Sequence, residues 1–546
     1  RDCLLSRGLG DVYKRQDLLD KFKKRDPRKV ELFLFLLVTD DLLYHHYKLK
    51  STLEVLDEKI KIASFLKSKF PQNNLYSNMC TELMHEIVAY RGMKKLDDSK
   101  IFVNEDAIMK YELCKIDDLY DRFKKQAALV RSNRVFVLVN GSDFSHNNAV
   151  DLIDDIATYS NNAIEEVALQ IFNVIRYAFL KSRFGLGTYL STRIRHGVFE
   201  GELRSDFERL NLILNQSGQQ YMPSDYWSVE YSLDLEMREN LYRAQVKFSK
   251  DIDFLITSFK DTVIQIRVDE DDEKIGEFDY VVDTKELCNR LMDVEFKTQD
   301  RESFCKGVMA YLWEITERRL ENIRERISNQ LKPDILGHLQ TLELSFDSLS
   351  GHKTLNADLK TAVNNARAAL INKLTKVEKW FHRQETKFED FDIENHIRMT
   401  MEQAARYYSD IQFEMNVKMV SLPTQIRSEY SSSMFDLFFI FLTNMLKYSK
   451  STNPRIFQIN SQMMDDSVIK ISLINDIQTG IQENELNHIL ERKMNDIAKL
   501  QQEGGSGLVK AMTIVKYDFG NTNNTFTIQA IEGKCIVCLL YTSPSP

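Results

Sequence analysis

The chain has 546 residues, 43% of them apolar, 28% charged and 10% aromatic, with a formal charge of −8. At roughly 100–200 residues per domain this is three or four domains, and the apolar content excludes a disordered chain. Eight prolines and nineteen glycines exclude collagenous or low-complexity sequence, and no run reaches the ~18–20 apolar residues of a membrane span. The expectation is a soluble, cytoplasmic protein without membrane association. Its acidic balance argues against general nucleic-acid binding.

The two ends read differently from the rest. Residues 6–16, Ser-Arg-Gly-Leu-Gly-Asp-Val-Tyr-Lys-Arg-Gln, resemble the translation of a transposase-type sequencing adapter, and Cys538–Pro546 resemble its frame-shifted reverse complement. Segments 1–16 and 538–546 are therefore read as adapter-like scars and set apart from the 17–537 piece. Removing their four basic and two acidic residues takes the charge from −8 to −10. The pair Cys535 and Cys538 crosses the second boundary, so it is not read as a redox or zinc motif. Cys80, Cys114, Cys288, Cys305 and Cys535 are scattered, and imply neither a disulfide framework nor a metal site.

In chain order, 17–181 reads as a mainly helical N-terminal domain. Its one expected strand is the β-branched run Arg134–Val139, ended by Asn140-Gly141. Residues 182–300 mix helix with two expected strands, Val263–Val268 and Phe278–Val282, joined by the acidic loop Asp269–Asp272. A helical hairpin or bundle follows over 301–387. A helix at Glu302–Gln330 is stopped by Lys332-Pro333, and a second long helix occupies Asn356–Lys387. This segment, 302–387, is the candidate for a homodimer interface. Over 388–537 the texture becomes α/β. The expected order is helix 392–407, strand Ile411–Val417, helix Ser431–Tyr448, strands Arg455–Ile459 and Val468–Asn475, and helix Glu483–Arg492. A glycine turn, helix Gly507–Phe519 and the hairpin Thr525–Ile531 with Lys534–Val537 close it. The fold class is α+β: helical N-terminal region, helical hairpin, C-terminal α/β sandwich.

Two segments carry chemistry. Gly504-Gly505-Ser506-Gly507-Leu508 opens an apolar-periodic helix, where glycines allow close backbone approach and the helix start offers unpaired N–H groups to a phosphate. Upstream, Phe435–Ser449 is apolar nearly all round, so it must be buried, and Asn444 and Lys447 at its end need partners. The run Asn444, Lys447, Tyr448, Ser449 resembles the N box of the histidine-kinase-like ATPases, and Gly505, Gly507 and Leu508 resemble their second glycine box. The resemblance covers about 388–537. It implies ATP and Mg²⁺ as cofactors, with Asn444 helping to coordinate Mg²⁺ on the phosphates and Lys447 near them. Adenine recognition would fall to an oxygen acceptor at the end of strand Val468–Leu473, either Asn475, which ends the strand directly, or Asp476. Thr527 would add a hydroxyl at the base.

Hydrolytic members of that family place a glutamate four residues before the N-box asparagine; here the position is Ile440, which cannot accept a proton. The phosphoacceptor pattern of sensor kinases is also absent from 302–387, where His338 and His382 are the only stand-ins. No catalytic residue is assigned. A second candidate is the basic segment from Lys181 to Arg195, whose Arg183, Arg193 and Arg195 would suit phosphate or nucleic-acid contacts unless they pair with nearby acidic residues. The leading reading is an ATP-binding sensor or signalling protein whose nucleotide state passes through the helices to an N-terminal sensing or effector region and a protein partner. Three alternatives stand beside it: an atypical histidine kinase, a nucleic-acid-directed defence effector, and a scaffold that binds no nucleotide.

Overall fold

The computed structural model describes Leu43 and residues 51–98, 100–140, 147–195, 198–218, 220–267, 276–347, 353–384, 391–408, 411–418, 425–426, 428–449, 452, 454–465, 468–478, 480, 482–495, 506–519 and 523–542. Residues 1–16 and the acidic run 269–273 lie outside them. Two compact units emerge: Arg1–Leu96 with Lys387–Glu402 and Pro423–Phe435, and Asp97–Thr386 with Gln403–Leu422 and Asp436–Pro546. No helix among the described residues is long and apolar enough to cross a membrane.

In the first unit, α1 (Thr52–Lys69) starts where the Ser51 hydroxyl accepts from the Glu54 amide at 3.3 Å. It packs Leu56 and Ala63 against Cys80, Leu83 and Ile87 of α2 (Asn74–Asp98). His85 Nδ1 lies 2.9 Å from Asn395 Oδ1, which joins α2 to the following helical segment of the same unit.

The second unit contains one helical core that runs without a break from Ile101 to Phe381. It is built by α3 (Asp117–Asn140), α4 (Asn147–Lys181), α5 (Leu186–Leu190), α6 (Val198–Arg209), α7 (Leu235–Thr262), α8 (Thr284–Lys297), α9 (Arg301–Arg326), α10 (Lys332–Asp347) and α11 (Lys353–Trp380). Aspartates cap three of them: Asp234, Asp283 and Asp300 accept from Met237, Glu286 and Ser303 amides at 2.8–2.9 Å. Because α4 packs on α8 and α9, the core crosses the expected boundaries at 181 and 300.

Four local expectations change. Arg134–Val139 is not a strand; it completes α3. β-Branched residues cost a helix only a few tenths of a kcal/mol each, so a helix already propagating continues through them. Besides a short antiparallel pair, Gln216–Ser217 with Gln220–Tyr221, the two expected strands of the 182–300 region shrink to β1 (Ile266–Arg267) and β2 (Phe278–Asp279), which pair parallel. Gly276 is required there, since a Cβ would overlap the Gln265 carbonyl. Pro333 does not end the helix. A wide turn at Ile327–Leu331, closed by the Lys332 amide on the Ile327 carbonyl, absorbs the ring and the lost donor, and α10 carries on. Finally, the helices of 301–387 join the larger helical core. α9 packs on α4 and α8, α10 on α7, and α11 on α6 and α10, burying their apolar stripes within the chain. A dimer through this segment would use its outward faces.

The C-terminal elements follow the expected order: α12 (Ile393–Tyr407), β3 (Phe413–Lys418), α13 (Ser428–Tyr448), β4 (Arg455–Asp465), β5 (Val468–Asp476), α14 (Glu483–Asn495), α15 (Gly507–Thr513) continued by a wide turn to Asp518, β6 (Thr525–Ile531) and β7 (Lys534–Thr542). The sheet runs β6-β7-β5-β4-β3, antiparallel except for the parallel β3–β4 pair. Strand periodicity puts Phe457, Ile459, Ile469, Ile471, Leu473, Val537 and Leu539 on the buried face. The closing strand does not stop at Val537. It pairs with β5 through Thr542, and Leu539 and Tyr541 are buried. Cys-Leu-Leu-Tyr-Thr alternates well enough to extend the ladder, so the boundary set at 538 falls inside a strand.

Candidate functional site

Within the second unit, the last turn of α13 and the first turn of α15 meet. A Cβ placed on Gly507 would lie 3.3 Å from Ile440 Cγ2 and 3.4 Å from Asn444 Nδ2, so the missing side chain lets the helix entry approach the asparagine. Ser506, just before it, is fully buried. Around this junction lies a cavity of about 480 Å³. Asn444, Lys447, Ser506, Gly507, Leu508 and Lys510 line one part of it; Asn475, Ile477, Ile528, Cys535 and Val537 form the sheet wall; and Leu486, Ile489, Leu490 and Lys493 of α14 flank that wall.

α14 is pinned to the free edge of the sheet. Asn487 Nδ2 donates to the Ala530 carbonyl at 3.1 Å, and its Oδ1 accepts from the Ala530 amide at 2.7 Å. An asparagine thus satisfies both backbone groups of one residue on an edge strand.

The charged groups of the cavity lining are Lys447, Lys493, Lys510 and Arg204 against Glu200 and Glu208. This positive excess suits a polyanion. Desolvation holds the Lys447 ammonium below the ordinary lysine pKa, although the side chain reaches the rim. Burial pushes the Cys535 thiol up to about 11, leaving it protonated and unreactive at neutral pH. The Asn444 side chain, on the cavity wall, has no hydrogen bond to any described residue.

Residues 392–542 match a family model described as "y4jQ C-terminal putative histidine kinase domain", and residues 110–381 match one described as Y4jQ. The C-terminal domain is histidine-kinase-like. A curated relative, "Uncharacterized protein y4jQ" of Sinorhizobium fredii (strain NBRC 101917 / NGR234), is 24% identical over 517 residues. That alignment takes in 90% of this chain and 47% of the relative, so the chain spans about half the relative's length. Similar solved structures include the catalytic domain of histidine kinase ThkA, 12% identical over 29% of this chain and 97% of that one, with a TM-score of 0.23. The mycobacterial sensor histidine kinase MprB is 20% identical over 29% of this chain and 99% of that one, with a TM-score of 0.22. Full-length ShkA in complex with AMPPNP is 14% identical over 42% of this chain and 47% of that one, with a TM-score of 0.25.

The histidine-kinase-like domain gathers most of the residues singled out in the sequence. Asn444, Lys447, Asn475, Ser506, Gly507 and Leu508 line one cavity. Asn475 is buried and its Nδ2 donates to the Asp476 carbonyl at 3.2 Å. Asp476 and Thr527 are not brought in. Asp476 is exposed at the strand end opposite Lys534, and Thr527 is exposed on the far face while its neighbour Ile528 reaches the cavity. Both miss by one residue, because successive strand side chains point to opposite faces. Gly504 and Gly505 lie outside the described residues.

Sequence reasoning missed the wall opposite the histidine-kinase-like domain. Thr192, Val198, Glu200, Gly201, Arg204 and Glu208 line the same cavity from the helical region. Their signal in the sequence is only the spacing of 200, 204 and 208 along one face of α6. Also missed was Lys510, which is buried and lies 3.1 Å from Ser191 Oγ.

The basic segment is committed to protein contacts, which corrects the nucleic-acid reading. Arg193 is buried and pairs with Asp436 at 2.8 Å, with Nη1 donating to Gln384 at 2.9 Å. Arg183 donates to Tyr517 Oη at 3.0 Å and faces Glu112 at 3.5 Å, and Arg195 pairs with Asp261 at 3.2 Å. Nor does either stand-in histidine line the cavity. His338 Nδ1 lies 3.2 Å from Asp251, and His382 neighbours Arg324.

Proposed function

We propose that the chain is an ATP-binding signalling protein, taking ATP with Mg²⁺ in the cavity between α13, α15 and the sheet. The observation that carries this reading is the convergence of Asn444, Lys447 and the Ser506–Leu508 helix entry on one cavity whose far wall ends in Asn475. The apolar wall of Ile477, Ile528 and Leu490 suits a nucleobase, and the buried Asn475 amide oxygen suits its exocyclic amine. Glycine-box amides and the lysines suit the phosphates. The described residues contain no group of three or more His, Cys, Asp or Glu able to hold a metal. Mg²⁺ would therefore rely on the phosphate oxygens and water, with Asn444 as the protein oxygen. AMPPNP in ShkA agrees with this ligand class.

Occupancy would be read by the helical region, because Thr192, Val198, Glu200, Arg204 and Glu208 form part of the same cavity wall. Calorimetric titration of the full chain with ATP and ADP, with and without Mg²⁺, tests the proposal. Asn444→Ala should weaken Mg²⁺–ATP binding by roughly tenfold or more, about 1.4 kcal/mol, with no change in melting temperature. Absence of Mg²⁺-dependent binding at millimolar nucleotide would sink the reading.

A further inference from the structure

The chemistry available at the phosphate end depends on which groups there can take a proton. Ile440 and Asn444 on α13 cannot, and Asp476 points away. Two carboxylates remain on the cavity wall, both from α6. Glu208 is occupied, since Arg204 Nε donates to its Oε1 at 3.0 Å and that arginine is further held by Asp253. Glu200 has no ion pair or hydrogen bond from any described residue and is exposed to the cavity.

The position of this wall is anchored independently of any ligand. Ser191, at the start of the turn leading into α6, lies 3.1 Å from Lys510 Nζ. Lys510 follows Gly507 by one helical turn on α15, and Gly507 is the residue whose absent side chain abuts Asn444. The contact ties the turn before α6 to α15, and Glu200 lines the same cavity as Lys447, Gly507 and Lys510. A free carboxylate beside a site for phosphates is electrostatically costly unless it handles a proton or a cation.

We propose that Glu200 is the general base of a nucleoside-triphosphate hydrolysis carried out in this cavity, a base supplied by the helical region and not by the histidine-kinase-like domain. This rests on the nucleotide reading above. A water oxygen attacks the γ-phosphorus, and the Glu200 carboxylate takes the proton that the water loses. The bond from the γ-phosphorus to the β,γ-bridging oxygen breaks, and its electron pair leaves on ADP. Lys447 and Lys510 offset the charge that gathers on the phosphate oxygens. The products are ADP and inorganic phosphate, and no oxidant or further reactant is needed. Hydrolysis would then occur only with α6 in place, tying the lifetime of the bound nucleotide to the state of the helical region.

The test is phosphate release by the full chain with Mg²⁺–ATP, alongside calorimetric binding of the same nucleotide. In H₂¹⁸O, the label should enter inorganic phosphate and not ADP. Glu200→Gln should bind Mg²⁺–ATP within about threefold of the parent while phosphate release falls roughly 100-fold or more. It should also lose the acidic limb of the rate–pH profile, which a purely structural first-turn glutamate would not move. Glu200→Asp should restore part of the rate and the limb, and serves if the glutamine variant melts early. Binding without phosphate release, transfer of the γ-phosphoryl to the protein, or an undiminished rate in Glu200→Gln would each overturn the proposal and leave the nucleotide reading standing. Failure of the parent chain to bind nucleotide would overturn both.

Discussion

Arg193 grips Asp436 with two nitrogens, Nε and Nη2 each 2.8 Å from Oδ2, in a pair whose side chains are only 6% and 8% exposed. One partner lies in the turn that leads into α6 and the other in α13, so the pair fastens the far wall of the cavity to the helix that carries Asn444. The guanidinium also lies 4.9 Å from the Phe102 ring and 5.2 Å from the Tyr189 ring. Burial raises the Asp436 pKa and Arg193 opposes that rise. Removing one member leaves the other buried without its ion-pair partner.

Arg193→Ala should therefore destabilise the chain by roughly 3–5 kcal/mol, read as a lower denaturant midpoint. Arg193→Met with Asp436→Leu should cost clearly less than Arg193→Ala alone. A double variant at least as unstable as the single one would refute this account.

Asp518 lies on the same buried surface. Asn104 Nδ2 donates to it at 3.0 Å and Tyr189 Oη at 3.1 and 3.2 Å, with Asp436 and Arg193 nearby. Burial pushes its carboxyl up to about 7, against the lowering effect of the two donors. A folded-state pKa above the unfolded value means the native state holds the proton more tightly. The stability this contributes is full below about pH 4 and is lost as pH rises through about 7. Denaturant midpoints should fall across that window, and Asp518→Asn should flatten the fall.

Gly507→Ala tests the close approach of the two boxes. Its Cβ would meet Ile440 at 3.3 Å and Asn444 at 3.4 Å, in a helix where alanine itself is favourable. The expected outcome is a small stability change, within about 1 kcal/mol, with Mg²⁺–ATP affinity reduced roughly tenfold as Asn444 is displaced. Unchanged affinity would separate the asparagine from the ligand.

Asn487→Ala should release the edge of the sheet. Both its hydrogen bonds go to the backbone of Ala530, whose side chain is 2% exposed. The cost should be about 1–3 kcal/mol, and the Ala530 amide should lose hydrogen-exchange protection while amides of the central strand β5 keep theirs.

Much of the C-terminal domain was legible in the sequence because its signals are local. Strand alternation, the all-apolar helix Phe435–Leu446 and the glycine turn before Leu508 each lie within a few residues, and together they point to Asn444, Ser506, Gly507 and Asn475. Errors fell where a local signal is ambiguous by one step. Asp476 and Thr527 sit beside the residues that face the cavity, and a strand reverses its side chains at every residue. Arg134–Val139 has strand composition but finishes a helix begun elsewhere, and Pro333 is carried by a widened turn that no residue type announces.

By itself, then, the sequence determined the order of elements from 393 onward, the face of each strand pattern and the chemistry of the two boxes, because periodicity and backbone constraint act over one or two turns. Tertiary structure alone decided which surfaces cover one another. It spent Arg193 on Asp436 across 243 residues and Lys510 on Ser191 across 319, and it set Glu200 on the wall of the cavity. Such pairings depend on the summed burial of distant apolar faces, and no window along the chain contains both partners.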